Sequence, residues 1–151
     1  MSDASRVHTL ALTSDPEQLA RMRAWLRRVL TAGGASGQEE AAILTAVGEL
    51  CTNAIKHAYG GGGGQPIHLT VTAFEDRLVV EVEDFGRPFD PARYVPPDLD
   101  ARPEHGVGLF LARSLVDSLA PDVARPRGTR WVLVKYRAGY RPPNTERNSM
   151  S

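Results

Sequence analysis

The stretch Glu49-Leu-Cys-Thr-Asn53-Ala-Ile-Lys-His57-Ala-Tyr59 constrains this chain more than any other. Glu49, Asn53 and His57 recur every fourth residue, a spacing that stacks them along one side of an α-helix. Ile43, Val47, Leu50 and Ala54 fall on a neighbouring stripe and can face a core. An amide oxygen can bind Mg²⁺ directly and a carboxylate can take a proton, so the polar stripe suits work on a hydrated cation. A solvated helix face has the same composition, and the stripe alone does not separate the two readings.

The flanking sequence gives this helix its neighbours. Alternation over Arg6 to Thr13 predicts a short strand. Ser14-Asp15-Pro16-Glu17 predicts a helix start, with Ser14 or Asp15 as N-cap and Pro16 in the first turn. Leu19, Met22, Leu26, Val29 and Leu30 follow at helical spacing until Gly33-Gly34. Ser36-Gly-Gln-Glu39 is a capping-box pattern that opens the helix carrying Glu49. The five glycines Gly60 to Gly64 read as a flexible connector; no Lys-Ser/Thr follows them, so they are not a P-loop.

Two alternating runs, Ile67 to Ala73 and Leu78 to Glu83, with Glu75-Asp76-Arg77 between them, predict an antiparallel hairpin. Gly86 to His105 carries five prolines and little periodicity, as functional lids do. A third helix is expected from Gly106, with Leu109, Leu111, Ala112, Leu115, Val116 and Leu119 as its apolar set, and a last strand at Trp131 to Tyr136. The order β-α-α-β-β-lid-α-β-β describes an α/β (α+β) two-layer sandwich: a mixed, largely antiparallel sheet covered on one face by three helices. One domain is expected over residues 1–137, with a disordered tail over 138–151.

Charge and cysteine usage exclude several classes. Eighteen basic and 18 acidic residues balance, so no global field recruits nucleic acid or an anionic membrane. No segment approaches the roughly 20 apolar residues of a membrane span. The lone Cys51 forbids an internal disulfide, and its place on the helix suits packing better than nucleophilic attack. The expected location is cytoplasmic.

Three further motifs bear on chemistry. Asp84-Phe85-Gly86 leaves a strand with a carboxylate that can accept from an amino group such as adenine's, next to a residue without Cβ; a plain strand-ending turn has the same pattern. Gly106-Val107-Gly108-Leu109 opens a helix, where phosphate can approach free backbone N–H groups; a helix entry that merely needs glycine conformations has the same pattern. Thr129 precedes the last strand and can hydrogen-bond a base edge or close a turn.

In combination, Glu-x-x-x-Asn on a helix, Asp-x-Gly after a strand, Gly-x-Gly opening a helix and Gly-Thr before a last strand resemble the GHKL, or Bergerat-fold, ATPases. Within that superfamily, Ala46 to Tyr59, Gly86 to Pro91 and Gly106 to Asp117 are similar to the boxes of bacterial stand-alone anti-sigma-factor serine/threonine kinases. The resemblance covers roughly residues 6 to 137 and departs at Pro88, where many superfamily members have a second glycine. It implies ATP and Mg²⁺ as cofactors, Glu49 as general base, Asn53 as the protein's metal ligand and His57 lining the same site. It implies Asp84 on adenine with Thr129 nearby, Gly86 leaving room for the ring, and Gly106, Val107, Gly108 and Leu109 at the phosphates. Arg93, Arg102 and Arg113 are the candidates for a cation that stabilises the transferring phosphate. The implied partners are a sigma factor, an antagonist of the STAS type and a second copy of the chain, paired through the segment Arg6 to Leu30. The rival reading is a regulatory ATP-binding module that holds a partner without transferring phosphate.

Overall fold

The computed structural model describes residues 6–93 and 107–140. In chain order these form β1 (Arg6–Thr13), α1 (Gln18–Ala32), α2 (Gly37–Asn53), a π-helical turn (Ala54–Ala58), β2 (Pro66–Ala73), β3 (Arg77–Asp84), a 3₁₀ turn (Pro91–Arg93), α3 (Val107–Leu115), β4 (Ser118–Asp122) and β5 (Arg130–Tyr136). The five strands make one sheet in the order β1-β2-β3-β5-β4, and every neighbouring pair is antiparallel. The sheet, expected to be mixed and largely antiparallel, is antiparallel throughout the described residues.

Period-2 alternation decides which face is buried. In β3, Leu78, Val80, Val82 and Asp84 point inward while Arg77, Val79, Glu81 and Glu83 point outward. Ile67, Leu69 and Val71 of β2, with Trp131 and Leu133 of β5, complete the inner face. Met22, Leu26, Val29 and Leu30 of α1 and Ile43, Ala46, Val47, Leu50 and Cys51 of α2 cover it. Most of these side chains, Leu26, Leu50 and Leu133 among them, are wholly inaccessible, so burial of the helical stripes against the strands is the main stabilising contribution.

The start of α2 follows the sequence expectation. Ser36 Oγ accepts from the Glu39 amide at 3.1 Å, and Glu39 Oε1 accepts from the Ser36 amide at 2.9 Å. The other Glu39 oxygen accepts from the Ala138 amide at 2.6 Å. The Tyr140 ring lies 5.3 Å from that of Tyr136, and residues 141–151 of the expected tail lie outside the described residues.

Three local expectations are corrected. Ser14 and Asp15 do not cap α1, whose N-cap position is Glu17 with no side-chain cap bond. Instead the Ser14 hydroxyl donates to Gly62 O (2.6 Å) and accepts from the Gln65 amide (3.0 Å), and the Asp15 carboxylate accepts from the Gly64 amide (3.3 Å). The glycine run is thus an anchored turn, with Gly60, Gly61 and Gly64 at positive φ, rather than a free connector. Finally, α3 ends at Leu115 and Leu119 belongs to β4, because Asp117 opens the ladder: its amide donates to Val134 O and its carboxylate accepts from the Tyr136 amide. Pro121 is tolerated in β4 because β4 is an edge strand.

Candidate functional site

Glu49 and Asn53 sit half-buried on the last turns of α2, with their side chains beside the core stripe rather than in it. Beyond Asn53 the helix widens: the Tyr59 amide donates to Ala54 O at 3.0 Å, an i to i+5 bond. This π-turn changes the angular spacing that the α-helical stripe assumed. His57 lies on it, exposed.

The π-turn exists in a dense set of tertiary contacts. Tyr59 Oη donates to Pro66 O and accepts from the Phe85 amide, both at 2.7 Å. Ala58 O accepts from the Arg87 amide at 2.8 Å. A Cβ on Gly86 would run into Ala58 O and the Tyr59 ring. The space left by the missing side chain at Gly86 is therefore taken up by the end of the Glu49 helix and not left as room for a ring. Tyr59 carries no role in the sequence reading; its signal there was an aromatic hydroxyl between the helical stripe and the glycine run.

Asp84 ends β3 on its inward face and is 3 % exposed, as the last member of the Leu78, Val80, Val82 alternation. Its Oδ1 accepts from the Gly86 amide at 3.1 Å. Burial pushes the Asp84 carboxyl above the usual carboxylate range; the Gly86 and Thr129 amides and the Arg125 charge oppose the rise, and Glu83 adds to it. A buried carboxyl with a raised pKa at a strand end is a candidate binding group.

Thr129, 1 % exposed, lies directly across from Asp84. Its carbonyl accepts from the Asp84 amide at 2.9 Å, and its Oγ1 accepts from the Phe89 amide at 2.8 Å, which leaves the hydroxyl proton to donate elsewhere. Gly128 makes this approach possible. At φ +76° its α-carbon faces Asp84 O and Phe85 Cα so closely that any Cβ would strike backbone.

The N-terminal turn of α3 meets α2 at Glu49. Helix α3 packs on α2, and a Cβ on Gly108 would collide with the Glu49 carboxylate. The first amides of α3, at Val107, Gly108 and Leu109, have no intrahelical acceptor, so the positive end of the helix dipole and a carboxylate share one small space. The Leu109 side chain itself is buried in the core. Gly106 and Arg102, and with them most of the expected lid, lie outside the described residues. Arg113 is in the last turn of α3, the end remote from Gly108. Cys51 is fully buried, and burial pushes its thiol up to about 12, so it is a packing residue.

The residues present fit a nucleotide with a divalent cation. Among the described residues no three His, Cys, Asp or Glu are grouped to hold a metal; Mg²⁺ in nucleotide sites draws most of its ligands from phosphate and water. Asn53 offers an uncharged oxygen, and the absence of a side chain at Gly108 lets the Glu49 carboxylate lie against the first turn of α3.

Comparison with known proteins gives concordant results. Residues 12–135 match the histidine kinase-like ATPase domain family. The serine-protein kinases RsbW of Bacillus velezensis and Bacillus subtilis are each 31 % identical over 140 residues, covering 87 % of this chain and 86 % of theirs. The RsbW of Bacillus pumilus is 31 % identical over 147 residues, covering 90 % of this chain. A crystal structure of the RsbU and RsbW domains of a Mycobacterium tuberculosis protein superposes with a TM-score of 0.63 at 22 % identity, over 91 % of this chain and 33 % of that longer one; it supports the fold.

Proposed function

The chain belongs to the histidine kinase-like ATPase domain family, alongside the RsbW serine-protein kinases, and from that membership we propose that it is an ATP-dependent protein serine kinase that doubles as an anti-sigma factor. The observation that carries the reading is the juxtaposition of Glu49 with Gly108. It puts a carboxylate able to take a proton at the helix end able to hold phosphates.

ATP and Mg²⁺, when bound, supply the transferable phosphoryl group and the charge neutralisation its transfer needs. Asp84 accepts from the adenine amine, with Thr129 presenting its hydroxyl beside it. The amides of Val107, Gly108 and Leu109, joined by Gly106 from its place in the motif, hold phosphate oxygens. Asn53 offers its amide oxygen to the cation, and the exposed His57 lines the approach. Glu49 orients the attacking serine hydroxyl and takes its proton. Gly86 keeps the Asp84 loop tight against the π-turn, so that the adenine and metal sides hold a fixed distance.

The protein substrate is a serine on an antagonist of the STAS type, and the sequestered partner is a sigma factor; the setting is the cytoplasm. No helix among the described residues is long and apolar enough to cross a membrane. A homodimer through the Arg6 to Leu30 segment is favoured by the outer edge of β1, which among the described residues pairs only with β2 and leaves Val7 59 % exposed.

Transfer of radiolabel from ATP to a STAS-type protein tests the kinase. Glu49→Ala is expected to keep ATP binding and lose about 10²–10⁴ in rate. A wild type that binds both ATP and the STAS protein yet never transfers label establishes the binding-module reading instead.

A further inference from the structure

We propose that Arg125 is a positioning residue for nucleotide recognition: from the turn between β4 and β5 it fastens that turn onto Glu83 and Phe85, the two neighbours of Asp84, and so fixes the carboxylate that receives adenine. The inference rests on the assignment of Asp84 to adenine made above.

The Arg125 side chain is only 12 % exposed although it belongs to a surface turn. Its Nη2 is ion-paired with Glu83 Oε2, its Nε donates to Arg127 O at 3.2 Å, and its guanidinium carbon stands 5.6 Å from the centre of the Phe85 ring. His68 meets the same ring edge-on at 5.3 Å, so Phe85 packs with both a cation and an imidazole. A guanidinium with three partners on three different residues has little rotational freedom left.

The clamp acts on Asp84 by two routes. The first is mechanical. Closing the turn presses Gly128 against Asp84 O and Phe85 Cα and brings the Thr129 carbonyl onto the Asp84 amide, while the Phe85 amide donates to the Tyr59 hydroxyl. Asp84 is thereby gripped on both sides along its own strand. The second is electrostatic. The charged or titratable groups around Asp84 are Glu83 on its own strand, Arg125 from the β4–β5 turn and Tyr59 from the π-turn, with Arg127 acting in turn on Tyr59. Arg125 is the cation among those acting on Asp84, and it opposes the burial that favours the protonated acid. An acid that has lost its charge is a poorer acceptor for an amino group.

The test is ATP titration by calorimetry on the full chain from mildly acidic to neutral pH, for wild type, Arg125→Met and Arg125→Lys, with phosphotransfer kinetics alongside. Arg125→Met is expected to weaken ATP binding about tenfold at neutral pH. It should also move the acid limb of the binding profile to higher pH and raise KM for ATP with kcat at saturation retained. Arg125→Lys should restore the acid limb, because it returns the charge. Arg125→Gln, closer in shape, replaces the Met variant should that one melt below the assay temperature. Wild-type affinity and an unmoved acid limb in Arg125→Met overturn the proposal. Weaker binding with an unmoved limb and no rescue by Lys also overturns it, since packing alone then explains Arg125. Absence of ATP binding in the wild type is a different result, and overturns the adenine assignment itself.

Discussion

Replacing Gly108 by alanine separates stability from catalysis at the centre of the site. The new Cβ meets the Glu49 carboxylate: its Oε1 first, with Cδ at 3.2 Å and Cγ at 3.7 Å. All three atoms are the far end of a flexible side chain, so the fold can yield by turning Glu49 rather than by moving backbone. An off-rotamer turn costs on the order of 0.5–1.5 kcal/mol. Alanine returns up to about 1 kcal/mol of helix propensity over glycine. The two nearly offset, and the melting temperature should move by no more than a few degrees. The carboxylate, however, is displaced by roughly 1 Å or more, and a misplacement of that size costs about 10²-fold in rate. Thermal unfolding and single-turnover phosphotransfer to a STAS-type protein read the two effects. The decisive control is the double variant with Glu49→Ala. If Gly108→Ala acts only by moving Glu49, the double variant is no slower than Glu49→Ala alone. Full additivity, or a Gly108→Ala protein with wild-type rate, would refute the claim that these two residues share the reacting space.

The other outcomes follow from single contacts. Asp84→Asn should leave stability unchanged or raised while ATP binding is lost. The folded-state pKa of Asp84 lies above its unfolded value, so the folded protein holds this proton more tightly and stability from this group grows as pH falls through the folded pKa; the ionised form is the destabilising one. A melting temperature well below wild type would contradict this. Glu39 has the opposite sign. Burial favours its acid form, but the Ser36 and Ala138 amides and Arg137 hold it below the usual range, so its contribution is present above its unfolded pKa and disappears in acid; Glu39→Gln should flatten the acid limb of a stability profile. Ser14→Ala should destabilise by about 1–3 kcal/mol, read by denaturant titration, because Gly62 O and the Gln65 amide lose a buried partner together. Cys51 should resist alkylation in the native protein at mildly alkaline pH and react on unfolding, given a thiol raised to about 12.

Local chemistry carried much of this protein into view before any fold was known. The capping box at Ser36 and Glu39, the apolar stripes of α1 and α2 and the alternation of β2 and β3 are short-range regularities; each needs only its own residues, and each is found where the sequence places it. The same alternation already puts Asp84 on the face of Leu78, Val80 and Val82, a carboxylate at the end of a core strand. What the sequence could not decide is whatever depends on two distant segments meeting. Ser14 reads as a helix cap because its neighbours favour one, yet the glycine turn 48 residues away takes its hydroxyl. The helix carrying Glu49 reads as regular to its end, yet bonds from Tyr59 and Ala58 to the Asp84 loop accompany a π-turn that leaves His57 exposed. Gly86, Gly108 and Gly128 look alike in the sequence, and only the packed structure shows that the first faces a carbonyl, the second a carboxylate and the third a strand. Arg125 carries no periodicity at all; its role arises where the β4–β5 turn folds over β3, a contact made by sheet register and invisible to spacing along the chain.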